Sequence, residues 1–235
     1  MAEIEATLPS DLQTRWFNAP TYTPDDPWHG FDPTRAAVVL IDMINWQAHP
    51  DGTSIQSLRR GGQGMSADYL VERCETMVIP QTKRLLDAAR TSGAKVVHVR
   101  LASRSADFTD VVPAFQAYLR GCDAVEGGWG TKVLDGLYDP ADVSLIKTGS
   151  GGFTGSDLDR VLRNLGVDTV LYVGVVTTAC VLLTVAHGFD LGYRQYLVTD
   201  CTAALSDEDQ AAGELLMGRY MALPVLADDA VAHLA

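Results

Sequence analysis

Residues 170–200 read VLYVGVVTTACVLLTVAHGFDLGYRQYLVTD. The stretch opens on Val170–Val176, an uncharged and largely β-branched run, the pattern of a strand buried on both faces of a parallel sheet. Thr177, Thr178 and Ala179 follow, then Cys180, then apolar residues at helical spacing through Leu183 and His187 that end near Gly192. Gly192-Tyr193 stops this helix, and Tyr196–Thr199 is the next strand. Cys180 therefore falls where a strand gives way to a helix, at the carboxyl end of a parallel strand, where open α/β sheets place their sites. A thiol at a helix N-terminus meets the positive end of the helix and unpaired N–H groups, which predicts a lowered pKa and some thiolate. A free cysteine is as readily a small buried hydrophobe, and this stretch alone leaves both readings open.

Outward from this unit the same alternation repeats. Ala36–Ile41 is a buried strand with Asp42 at its end, Lys95–Leu101 a second, Val143–Ile146 a third with Lys147 at its tip, and Leu223–Leu226 a short last one. Ser66 is positioned to cap a long helix through Leu70, Met77, Ile79, Leu85 and Leu86 to Ala89, interrupted or entered afresh near Pro80 and ended by Thr91-Ser92-Gly93. Ser156 is read as the cap of a helix from Asp157 to Leu165, Ser206 as the start of one running to about Met221, and Asp228-Asp229 as the opening of a terminal helix. Asn45–Gly64 reads as a loop, and residues 102–142 as a long excursion with one helix near Ala114–Leu119. Strands alternating with helices predict a three-layer α/β/α sandwich around a mostly parallel six-stranded sheet, in a single domain over 36–235. Residues 1–35 interleave Pro9, Pro20, Pro24, Pro27 and Pro33 with Trp16, Phe17, Tyr22, Trp28 and Phe31. They read as an irregular arm whose aromatics pack on its own domain or on a neighbouring subunit.

Charge and cysteine usage narrow the function. A net charge of −12 argues against nucleic-acid binding through a basic surface and against an anionic membrane face. The N-terminus MAEIEATLPS is polar and acidic, no apolar run is long enough to span a bilayer, and Cys74, Cys122, Cys180 and Cys201 form no C-x-x-C pair. The expectation is a protein of the reducing cytoplasm, and the net charge says little about a small substrate, because a local pocket can carry either sign. Gly149-Ser150-Gly151-Gly152 matches neither phosphate-loop spacing, and the five histidines, His29, His49, His98, His187 and His233, form no ligand cluster. Neither a metal nor another cofactor is expected.

Asp42, Lys147 and Cys180 each stand at the end of a predicted strand, and neighbouring strands would bring them to one edge of the sheet. A buried carboxylate beside a thiol takes its proton as general base. A nearby lysine keeps the carboxylate ionised and favours the thiolate. Backbone N–H groups at the turn before the helix bind a developing oxyanion. Together these groups suffice for acyl transfer through a thioester.

Three segments carry a family resemblance. VVLIDMINW resembles the first motif of the isochorismatase-like cysteine hydrolases, an apolar strand ending in Ile-Asp. Lys147, Thr148 and GSGGFTGSDLD resemble the second motif, a Lys followed by Phe-x-Gly-[ST]-x-Leu. GVVTTACV and then GFDLGYRQYLVTDCTAA resemble the third, and the three stand in family order across residues 36–204. The resemblance implies that fold, with a Rossmann-like strand order, and a Cys-Lys-Asp triad carried onto Cys180, Lys147 and Asp42. It also implies a cis peptide between Val175 and Val176, with the amides of Val176 and Cys180 forming the oxyanion hole, and a homodimer or homotetramer.

Some relatives that cleave vinyl ethers lack the cysteine, so Cys180 favours the amidohydrolase branch, the carbamoylsarcosine, ureidoacrylate and biuret hydrolases. The Asp-x-His metal cluster of the nicotinamidases has no counterpart here. The expected reaction is C–N cleavage of a small carboxamide, carbamoyl or ureido compound, with release of ammonia or an amine. The alternatives are an isochorismatase-type vinyl ether hydrolase and a non-catalytic binding protein on the same fold. Trp46, Gln47, Trp129, Phe153 and Thr177 are the candidate pocket residues, and Arg100 and Arg104 are candidates for binding a carboxylate. Exhaustive chelation should leave the hydrolytic rate unchanged; a rate that collapses with chelator and returns with zinc would contradict this reading.

Overall fold

The computed structural model describes residues 26–235. Six strands form one sheet: β1 (Ala36–Ile41), β2 (Lys95–Leu101), β3 (Val143–Lys147), β4 (Thr169–Val175), β5 (Arg194–Ala203) and β6 (Leu223–Val225). Their order is β3-β2-β1-β4-β5-β6 and every neighbouring pair is parallel. The sheet is thus wholly rather than mostly parallel, because every connection crosses over through a helix or long loop.

The helices are α1 (Asn45–Ala48), α2 (Thr53–Arg60), α3 (Gly64–Arg73), α4 (Ile79–Ser92), α5 (Pro113–Gly121), α6 (Gly152–Gly155), α7 (Leu158–Asn164), α8 (Leu182–Asp190), α9 (Asp207–Gly218) and α10 (Ala227–Leu234). Strand alternation divides them into two layers. Val38 and Leu40 of β1 point with Leu171 and Val173 of β4 into a core shared with α3, α4 and α10. Val39 and Ile41 point with Val170 and Tyr172 into a second core, against Leu158, Leu162, Val181, Val185 and Met217. The central strands bury every side chain, which is why they read as unbroken apolar runs.

Several boundaries differ from the sequence reading. The segment 45–64 is mostly helical: TSIQSLRR buries only Ser54 and Ile55, too few apolar positions to show a period. Ser66 caps nothing, since α3 begins at Gly64 and continues through a π-helical turn, Cys74–Val78, into α4. That wider turn takes Pro80 into the first turn of α4, so of the two expectations it is re-entry at the proline, not interruption, that the structure shows. Helix α7 starts one residue later than predicted, α9 ends at Gly218 rather than Met221, and β5 runs on through Ala203.

The described part of the N-terminal arm packs on its own domain. The Trp28 ring stacks on Tyr196 at 4.3 Å and on His233 at 4.4 Å, with Phe31 edge-on at 4.9 Å. Trp16, Phe17 and Tyr22 lie outside the described residues. Among the described residues no helix is long and apolar enough to cross a membrane.

One close approach holds the centre of the sheet in place. Gly174 pairs with Ile41 across β1 and β4 and has φ 122°, and a Cβ there would lie 2.0 Å from the Ile41 carbonyl oxygen. Only glycine combines that conformation with that contact. The register of β4 on β5 shifts between Tyr172 and Gly174, and the peptide bond between Val175 and Val176 is cis. Gly174→Ala should therefore lose at least about 3 kcal/mol of stability, from backbone strain and overpacking together. Urea denaturation measures this, and a loss below about 1 kcal/mol would contradict the argument.

Candidate active site

The carboxyl ends of β1 and β4 flank the point where the strand order reverses, and Asp42 and Cys180 stand there. Asp42 adopts a left-handed backbone conformation, φ 53°, fixed by its N–H to the Val99 carbonyl at 2.9 Å. Its Oδ1 accepts the Leu101 N–H at 2.7 Å, which draws the carboxylate over the end of β2. Lys147 is the last residue of β3 and reaches inward from the far side of β2, pairing in register with Leu101. Its Nζ lies 2.9 Å from Asp42 Oδ2 and 3.2 Å from Cys180 Sγ. It also donates to the carbonyls of Ser150 at 2.7 Å and Gly149 at 3.1 Å. Asp42 and Lys147 are fully buried, and Cys180 is 6% exposed.

The turn that carries Cys180 is not a plain helix N-terminus. Thr177–Val181 forms a π-helical turn, closed by the Val181 N–H to the Val176 carbonyl, and α8 follows it. The expectation of a depressed thiol pKa does not hold. Burial pushes the Cys180 thiol up to about 11, Asp42 adds to the rise, and Lys147 and Ser150 pull only partly against it. In this dry environment desolvation outweighs the helix field. Burial pulls Lys147 down as well, but Asp42 and Cys180 outweigh it and hold the ammonium above its ordinary value. The resting site is therefore a neutral thiol beside an ammonium–carboxylate pair.

The proposed pocket residues separate into two groups. Trp46 is buried, with its indole N–H on the Leu101 carbonyl at 3.0 Å and its ring against Tyr118. Gln47 is buried beside it, and Trp129 is half-exposed at the rim, edge-on to His49. Phe153 and Thr177 make core contacts instead. Phe153 stacks on Tyr193 at 5.4 Å inside the core, and Thr177 is buried with its hydroxyl on Gln210 at 2.8 Å. Arg100 lies on the face of Val96, away from the thiol, where it lines a cavity of about 480 Å³ with Lys132, Tyr138 and Ser144. Its guanidinium donates to Ser144 Oγ and the Thr131 carbonyl. Arg104 donates to the Ile146 carbonyl at 3.1 Å. His98 pairs at 2.9 Å with Asp142, which also binds Arg90, a buried structural cluster.

Two residues near the thiol escaped the sequence reading. Ser150 places its Oγ 3.4 Å from Cys180 Sγ. Tyr118, on α5 of the long excursion, packs edge-on to Trp46 and its hydroxyl bonds Ser54 at 2.6 Å. Ser150 lies in a glycine-rich turn and Tyr118 on a helix of the long excursion, and only the folding back of residues 148–155 and of α5 brings them in. Among the described residues no three His, Cys, Asp or Glu side chains gather as metal ligands.

Comparison with known proteins shows the family. The isochorismatase domain family model matches residues 36–228, and the chain belongs to the isochorismatase family of hydrolases. It is 30% identical to the ureidoacrylate amidohydrolase RutB of Caulobacter segnis over 186 residues, 73% of each chain. The N-carbamoylsarcosine amidase structure from Thermoplasma acidophilum superposes with a TM-score of 0.62 at 26% identity, covering 83% of this chain and 97% of that one. A cysteine hydrolase from Pseudomonas syringae pv. phaseolicola shares the fold, with a TM-score of 0.72 at 22% identity over 87% of this chain and 94% of the other.

The ammonium is the charge that lowers the thiol pKa, so Lys147→Met should raise it further. Alkylation of Cys180 by iodoacetamide should slow at neutral pH, with its pH profile displaced upward, and turnover should fall at least about a hundredfold, the scale of a positioned catalytic group. Lys147→Arg should rescue only partly, because the guanidinium is larger and planar. Superimposable profiles with turnover preserved would leave Lys147 outside the chemistry.

Proposed function

We propose that the protein is a cysteine hydrolase that cleaves a C–N bond of a small carboxamide, carbamoyl or ureido compound. The observation that carries this reading is the buried ammonium of Lys147, in contact with both the Asp42 carboxylate and the Cys180 sulfur. The names of the ureidoacrylate and carbamoylsarcosine relatives support the choice of bond.

Asp42 Oδ2 faces the ammonium at 2.9 Å but has no well-aligned hydrogen bond among the described residues, which leaves it open to the thiol proton. As that proton moves to Oδ2, Sγ attacks the substrate carbonyl, and the amides of Val176 and Cys180 receive the oxyanion. Collapse breaks the C–N bond, and Asp42 returns the proton to the departing ammonia or amine. The acyl group remains on sulfur as a thioester, or as a thiocarbamate when the substrate is a urea. Water then attacks with Asp42 again as base and Cys180 recovers its proton. Lys147 keeps one positive charge beside a negative charge that shifts from Asp42 to sulfur and back, so no uncompensated buried charge forms.

Turnover of a panel of small amides and ureido acids tests this reading by its product. Ammonia or an amine is expected; pyruvate from a vinyl ether substrate would assign the protein to the other branch. Cys180→Ala should abolish turnover, while Cys74→Ala and Cys201→Ala should keep most of it. Both of the latter thiols are fully buried in the core, on the other face of the sheet from Cys180. An active Cys180→Ala enzyme would refute the proposal.

A further inference from the structure

Ser150 stands in the site without a role in the triad. Its carbonyl accepts from Lys147 Nζ at 2.7 Å, and its hydroxyl lies 3.4 Å from Cys180 Sγ. One residue thus touches both the cation and the sulfur of the reaction, from a turn that leads out of β3. We propose that the Ser150 hydroxyl is the second hydrogen-bond donor to the Cys180 thiolate, beside Lys147, and sets the fraction of thiol that is reactive. This inference rests on the cysteine-hydrolase reading above.

The turn is built to hold the hydroxyl there. The Thr148 N–H bonds the Gly155 carbonyl and the Gly155 N–H bonds the Gly151 carbonyl, each at 3.0 Å, so residues 148–155 close on themselves. A Cβ at Gly155 would lie 2.9 Å from the Gly149 nitrogen and 3.3 Å from Lys147 Cβ, so closure needs glycine there. The turn is also stapled to the segment that bears the nucleophile. Thr184, on α8, accepts the Gly152 N–H at 2.9 Å and donates its own hydroxyl proton to the Cys180 carbonyl at 2.6 Å. Ser150 and Cys180 are therefore fixed to one another through a single buried side chain, independently of Lys147.

The thiol proton and the Ser150 proton have separate destinations. Asp42 favours the protonated sulfur and Ser150 the ionised one. Either atom of the Ser150–Cys180 contact at 3.4 Å can donate; with the S–H turned to the carboxylate, a sulfur lone pair is left to accept from the serine hydroxyl. When the proton passes to Asp42, the sulfur carries a full negative charge. A donor that was weakly bonded to a neutral thiol is then charge-assisted. A neutral thiol buried to a pKa of about 11 needs such stabilisation, because the ammonium is shared with a carboxylate and two carbonyls. The same hydroxyl weakens its hold as the carbon–sulfur bond forms and the charge leaves the sulfur.

The test follows the thiol rather than turnover. The pH dependence of Cys180 alkylation by iodoacetamide is measured for the wild type, Ser150→Ala, Ser150→Thr and Lys147→Met, with thermal unfolding to confirm each fold. Ser150→Ala should raise the midpoint by about one pH unit, a roughly tenfold smaller thiolate fraction at neutral pH, the scale of one hydrogen bond to a charged group. Ser150→Thr, which keeps the hydroxyl, should return most of the shift. A Ser150→Ala profile identical to the wild type, with Lys147→Met displaced, would overturn the role of Ser150 and leave the triad intact. A Ser150→Ala shift that Ser150→Thr does not reverse would overturn it too, since the effect would then belong to the turn and not the hydroxyl. Undisplaced profiles in both Ser150→Ala and Lys147→Met, with Cys180→Ala still active, would instead mark the failure of the cysteine-hydrolase reading itself.

Discussion

The constraint on which the site depends is a lysine ammonium with no access to water. A charge in that position is tolerated only when it is paired and every proton is bonded; loss of one partner of a buried pair costs about 3–5 kcal/mol. Lys147 meets this condition with four neighbours: a carboxylate oxygen of Asp42, the carbonyls of Gly149 and Ser150, and the sulfur of Cys180. Each comes from a different structural commitment. Asp42 must sit at the end of β1, the two carbonyls must turn back from β3, and Cys180 must be presented by the turn after β4. The ammonium is the charge against which all three segments are positioned.

The sheet meets these commitments through backbone geometry more than through side-chain packing. Asp42 leaves β1 in a left-handed conformation and is held by the amide of Leu101, so its carboxylate lies over β2 rather than above its own strand. Gly174 allows β4 to lie directly against Ile41, immediately before the strand ends and the turn to Cys180 begins. On the far side of that turn, a Cβ at Gly213 of α9 would meet Thr177 at 2.9 Å, so α9 packs tightly under it, and Thr177 and Gln210 bond across the contact. A small movement in any of these would separate the sulfur from the ammonium by more than a hydrogen bond. The hydrophobic cores on the two faces supply the stability, and these few close approaches supply the geometry.

The electrostatic state that results is a protonated thiol beside a preformed ion pair, not a preformed thiolate. A buried thiolate next to the Asp42 carboxylate would place two negative charges around one ammonium. In the proposed reaction, proton transfer and attack on the substrate are for this reason most favourable when they occur together, because the charge that leaves Asp42 is carried at once onto sulfur and then onto the oxyanion.

The sequence by itself determined the layered α/β architecture, because central strands buried on both faces leave an apolar run that cannot be mistaken, and caps and glycines mark most helix ends. It also singled out Asp42, Lys147 and Cys180, because each stands at the end of such a run and within a motif of fixed spacing, and the structure places the Lys147 ammonium against the other two. It did not determine α2, whose buried face is nearly confined to Ile55, or the continuous helix through Pro80, which depends on a π-helical turn that has no sequence period. Nor did it determine that the three groups touch, since β3 and β1 are separated by β2 and only the lean of Asp42 toward Leu101 and the reach of Lys147 close the gap. The pKa of Cys180 was decided by the tertiary structure alone: a position at a strand-to-helix turn implies a helix field, but the depth of burial, which no local pattern encodes, is the larger effect and acts in the opposite direction.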